Sequence, residues 1–199
     1  MVLLSVLQTD SHISKLASDI ARRLGTPSCL ESIQRVPTED QGVNLFRFQW
    51  TEEFQNLGNE FVLAMAQEVS DTIRRDAKLK IERVAPGDYK MEVLFLVQSI
   101  YTTQNDELAI LIPLSSDMFT EAFQQLKAIE KIRQTSYAIH KGNTLHLKGA
   151  GKRSVEVGLQ TESTFIIYGD VQFHTIPPTP FFMLSFRTVL VLVESDHVV

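Results

Sequence analysis

Cysteine is almost absent from this chain of 199 residues, and that absence removes several classes of chemistry at once. With Cys29 alone there is no internal disulfide and no cysteine-built zinc site. Pro27-Ser28-Cys29-Leu30 has no histidine beside it to activate the thiol, so Cys29 reads as inert filler.

Long apolar runs are missing too. Met1 to Leu7 is apolar but lacks a basic leader and meets Gln8-Thr9-Asp10-Ser11 too soon for a signal peptide. Phe181 to Val193 is shorter than a membrane-spanning helix and contains Arg187. The expectation is a chain with no membrane segment, working in the cytoplasm or an equivalent reducing compartment.

Recognisable catalytic spacings are the third absence. His12, His140, His146, His174 and His197 stand apart, with no pairing at metal-ligand spacing. There is no Gly-x-Ser-x-Gly elbow. Glu52-Glu53 and Asp106-Glu107 suit a helix start and a turn better than acid–base work. Asp88-Tyr89-Lys90 resembles the Asp/Glu-x-Lys element of metal-dependent nucleases, but its second carboxylate would have to come from Asp71 or Asp76, both on an expected helix. No catalytic residue, metal ligand set or cofactor is expected from the sequence.

What is present is an ordinary globular composition, 44% apolar and 22% charged, which excludes disorder. The net charge of −5 argues against general coating of nucleic acid. The excess acid is confined to residues 51–140, which carry fourteen acids and nine bases.

Secondary structure is legible in several places. Residues 2–7 read as a buried strand feeding a helix whose apolar stripe is Ile13, Leu16, Ala17, Ile20, Ala21 and Leu24, capped by Asp10 or Ser11 and ended by Gly25 and Pro27. Phe46, Phe48 and Trp50 alternate as a half-buried strand. Thr51 then caps a long helix to about Ala77, within which Gly58 permits close packing. Residues 79–85, 89–101 and 107–112 form an antiparallel meander, and a third helix carries Phe119 to Ile129. From Tyr137 onward the pattern is β: 137–140, 144–148, 154–160, 164–168 and 170–175, with Gly169-Asp170 as a hairpin signal. The last strand, 181–193, is apolar on both faces and should be central in a sheet. The fold class expected is α+β: a mixed or antiparallel sheet, three helices in the first two thirds, and a β-rich final third. Residues 1–199 form one domain in this reading, with a possible subdivision into 1–136 and 137–199.

The one charged feature that stands out lies at 131–155, where Lys131, Arg133, Lys141, Lys148, Lys152 and Arg153 occur without a single Asp or Glu. Gly151-Lys152 imitates a phosphate-binding P-loop, but His146 stands where its first glycine belongs and Arg153 replaces the magnesium-binding Ser/Thr. Gly149-Ala150-Gly151 with its flanking bases resembles the glycine-rich loops of RNA-processing ferredoxin-like proteins over a few residues only, so no function is carried over. The candidate phosphate or nucleic-acid contacts are Lys141, Lys148, Gly149, Gly151, Lys152 and Arg153. The same run also suits a solvated hairpin.

Three functional expectations follow. The leading one is a non-catalytic interaction or assembly subunit with a protein partner or a second copy of itself. Its alternative is an RNA-, other nucleic-acid- or phosphate-binding protein using the acid-free segment, and the third is a metal-dependent nuclease-like enzyme. The sequence weighs against an enzyme.

Overall fold

The computed structural model describes residues 2–36, 45–81, 89–97, 99–114, 144–149, 153–176, 178–187 and 190–192. The expected third helix, the strand at 137–140 and the turn at Gly142-Asn143 lie outside them.

The N-terminal elements follow local rules. Strand β1 (Leu4–Gln8) leads into α1 (Ser11–Leu24). The Asp10 carboxylate accepts the His12 amide at 2.8 Å, which satisfies a donor that the first helical turn leaves open. Ile13, Ala17, Ile20, Ala21 and Leu24 are buried on one face, as their spacing requires. A short helix α2 (Pro27–Glu31) and strands β2 (Gln34–Arg35) and β3 (Leu45–Arg47) follow.

Helix α3 (Glu52–Thr72) is capped by Thr51 and lays Phe54, Leu57, Phe61, Met65 and Val69 on the sheet. Gly58 sits at the contact: a Cβ there would stand 2.5 Å from Met91 Sδ. The helix closes in a π-helical turn (Ile73–Ala77), ended by Lys78 at φ 56°. Strand β4 (Leu79–Ile81) comes next.

The rest is antiparallel sheet. Its strands are β5 (Tyr89–Leu96), β6 (Tyr101–Thr102), β7 (Glu107–Pro113), β8 (Thr144–Gly149), β9 (Ser154–Gly158), β10 (Ser163–Tyr168), β11 (Val171–Ile176), β12 (Pro180–Arg187) and β13 (Leu190–Leu192). A seven-stranded sheet runs β1-β10-β7-β12-β5-β3-β2, and a four-stranded sheet runs β6-β11-β8-β9. Strands β13 and β4 pair separately.

From β5 to β12 the chain passes repeatedly between these two sheets. The large sheet has α1 and α3 on its outer face, with one apolar cluster between them, and a second cluster fills the space between the sheets. This is a jelly-roll-like double sheet. The expected α+β class, with three helices in the first two thirds and a β-rich final third, is thereby corrected: the described strands are antiparallel throughout and divide between two facing sheets that the chain crosses repeatedly. Gly169-Asp170 is likewise no hairpin: β10 belongs to the large sheet and β11 to the small one. The expected strand 181–193 divides into β12, central between β7 and β5, and β13 in a different sheet. No described helix is long and apolar enough to cross a membrane.

Candidate active site at the mouth of the barrel

Strand alternation sorts the inward side chains into two zones. Deep between the sheets lie Leu94, Leu96, Ala109, Leu111, Phe165, Ile167, Phe181 and Met183 of the large sheet. Leu145, Leu147, Val171 and Phe173 of the small sheet meet them. Phe173 is fully buried, its ring centroid 5.2 Å from Tyr101 and 5.9 Å from Phe181. Toward one end the same face of the large sheet turns polar: Arg47 and Glu92 form an ion pair there.

Lys90, Ser185, Glu107 and Arg187 continue that polar end, and with Tyr101, Thr102, Gln104 and Phe186 they line a cavity of about 330 Å³. The turn after β6 places the Gln104 amide on Glu107 Oε2 at 3.0 Å, and the Tyr101 hydroxyl donates to Glu107 Oε1 at 3.2 Å. Arg187 donates to Gln104 Oε1 at 2.6 Å. Lys90 is exposed and makes no ion pair among the described residues. Burial first, then the negative charge of Glu107 and the hydrogen bond to it, push the Tyr101 phenol well above its ordinary range, so it stays protonated at neutral pH.

A larger cleft of about 660 Å³ lies on the opposite face, between α3 and the large sheet. Its lining is chiefly apolar, including Val62, Leu63, Met91 and Leu184, and its Gln55 and Asn59 side chains bond each other. Among the described residues its polar groups are few, Gln55, Asn59 and Tyr89, and the first two are spent on each other. The barrel mouth is therefore the better candidate, although smaller.

The sequence-based candidates fare differently. Lys148 and Arg153 flank the β8–β9 hairpin and are exposed. Gly149 is buried against Leu3, and its amide donates to the Arg153 carbonyl at 2.9 Å, inside the hairpin. Lys141, Gly151 and Lys152 lie outside the described residues, as does Asp88. Asp71 lies on α3, and Asp76 is held by Arg75, which draws its pKa down. The described part of the nuclease-like set is not brought together.

No family model matches the sequence, and no curated protein matches it. Solved structures do match the fold. A prolyl-4-hydroxylase from Pseudomonas putida superposes with a TM-score of 0.52 at 13% identity, over 94% of this chain and 92% of that one. A protein from Shewanella oneidensis described as an oxygenase gives 0.52 at 9% identity, over 96% and 84%. The fold is that of these oxygenases.

This likeness overturns the expectation of a non-catalytic assembly subunit, and with it the weighing against an enzyme, because the scaffold is one that enzymes use. It lends nothing to the protein-binding, RNA-binding or ferredoxin-like readings.

Non-haem iron oxygenases hold their metal with two histidines and one carboxylate, so the fit of this chain to iron is decided by its inward residues. Deep between the sheets the described ones are chiefly apolar, and the buried Thr175 hydroxyl is spent on the Thr179 amide, which it accepts at 3.0 Å. The buried Thr103 hydroxyl is spent on the Val171 backbone, accepting its amide at 3.0 Å and donating to its carbonyl at 3.1 Å. Glu92 and Glu107 at the rim are taken by Arg47, Tyr101 and Gln104. Among the described residues no group of three His, Cys, Asp or Glu can hold a metal ion. The described barrel does not fit iron.

Sequence reasoning missed the mouth because Lys90, Tyr101, Glu107 and Arg187 sit on four strands. The only local signal was polar residues at the ends of otherwise apolar strands.

Proposed function

We propose that this chain is a small-molecule enzyme on an oxygenase fold, with its site at the barrel mouth and a carboxylate- or phosphate-bearing substrate. One observation carries the reading. Two cations, Lys90 and Arg187, border a polar cavity, and neither is neutralised by an ion pair among the described residues. An anion entering the cavity would meet both, and Arg187 would exchange a neutral amide for a charge-assisted bond. Beside them, the Tyr101 hydroxyl donates to the Glu107 carboxylate, which fixes the position of both groups at the cavity wall. No step is assigned to iron.

The test is thermal unfolding of the purified chain against a panel of small carboxylates and phosphates, with conversion of any bound compound followed by NMR. A ligand at a hundred times its Kd adds about 2.7 kcal/mol, which for a chain of this size raises Tm by roughly 5–10 °C. The shift should vanish in Lys90→Ala/Arg187→Ala, and conversion should not require Fe(II). An absence of stabilising anions, an unchanged shift in the double variant, or conversion only with Fe(II) would each overturn the proposal.

A further inference from the structure

The outer face of the four-stranded sheet carries a row of side chains that the barrel mouth does not use. Its inner face is fixed by Leu145, Leu147 and Phe173, so the residues between them point outward. At one level across β11, β8 and β9 stand His174, His146 and Glu156, successive partners in the strand register. The two imidazoles stack with centroids 4.9 Å apart and planes 6° from parallel. Glu156 Oε1 lies 2.8 Å from His146 Nδ1.

Each part of this row favours metal ligation. A carboxylate on Nδ1 selects the tautomer protonated there and leaves the Nε2 lone pair open, the arrangement that orients metal-binding histidines. The rings lie parallel, so convergence on one ion requires the His174 ring to turn about Cβ–Cγ, a broad torsion in histidine, while Glu156 keeps His146 in place; zinc would then need each Nε2 at about 2.0–2.1 Å. The neighbouring outward residues, Thr144 and Ile176 on one side and Lys148 and Gln172 on the other, place one cation near the row and no competing acid.

We propose that His146 and His174 chelate a divalent first-row transition metal of the zinc or copper class on this outer face, with Glu156 orienting His146 and water completing the coordination. Imidazole pairs select such ions over magnesium or calcium. The site is separate from the barrel mouth, so either assignment can fail without the other.

The test titrates the full chain with ZnSO4 by calorimetry and, separately, uses CuCl2 as a paramagnetic probe of the imidazole NMR signals. One ion per chain is expected. His146→Gln and His174→Gln should each weaken binding by roughly a hundredfold, Glu156→Gln by roughly tenfold, and Gln172→Ala not at all. Copper should broaden the His146 and His174 signals first in the wild-type chain, a reading that needs no variant to fold. No zinc binding, unchanged affinity in either histidine variant, or broadening confined to His12, His140 or His197 would overturn the proposal.

Discussion

Gly169 lies against the backbone carbonyl of Asn105, so close that a Cβ at position 169 would stand 2.4 Å from its oxygen. The Gln104 carbonyl is 2.6 Å from the same point and accepts the Asp170 amide at 3.2 Å. Two crossings between the sheets, β6 to β7 and β10 to β11, are locked together here beside the candidate site.

Gly169→Ala should therefore destabilise the protein by about 1–3 kcal/mol, because the atoms in its way are backbone and cannot swing aside. Gly158 has nothing within 4 Å of its Cβ direction. Gly158→Ala should be neutral or stabilising by up to about 1 kcal/mol. Urea unfolding of both variants measures the contrast, and equal effects would refute the locking role of Gly169.

Phe173→Ala probes the packed interior. The ring is fully buried and touches Tyr101 and Phe181, so its loss should cost about 3–5 kcal/mol by removing apolar burial and leaving a cavity. An open metal chamber between the sheets would tolerate truncation far better. A measured cost below about 1 kcal/mol would contradict the packed barrel.

Alkaline pH should weaken the fold through two tyrosines. Burial raises the phenol pKa of Tyr101, with Glu107 adding to it, and burial also raises that of Tyr168, whose hydroxyl bonds Ser5 at 2.9 Å. The native chain keeps these protons at pH values where the unfolded chain, with phenols near about 10, has released them. The stabilisation is complete below pH about 10 and is lost as pH rises from there toward the native values. Tyr101→Phe should flatten that loss in denaturation curves at pH 9–11. An unchanged slope would exclude the Tyr101 contribution.

How much of this was legible beforehand depended on range. The Asp10 cap and the stripe of α1 rest on neighbours within a few positions, and the sequence announced them; it also marked Gly58 as a close-packing position, but not its partners Met91 and Phe182, which lie far along the chain. The strands were visible as alternation, yet alternation tells only which face is buried, not which sheet a strand joins. Gly169-Asp170 looked like a hairpin because a tight turn between sheets uses the same residues as one within a sheet.

By itself, then, the sequence determined what local physics controls: the caps, the helical stripes, the in–out alternation of the strands, and the exclusion of disulfides and cysteine-built zinc sites by a lone Cys29. Only the tertiary structure decided that the strands divide between two facing sheets and that the described residues between them are chiefly apolar. It alone brought Lys90, Tyr101, Glu107 and Arg187 to one mouth and stacked His146 on His174. Pairing across 28 positions, as between those two histidines, is set by burial and strand register summed over the whole sheet. No short window of sequence contains that sum.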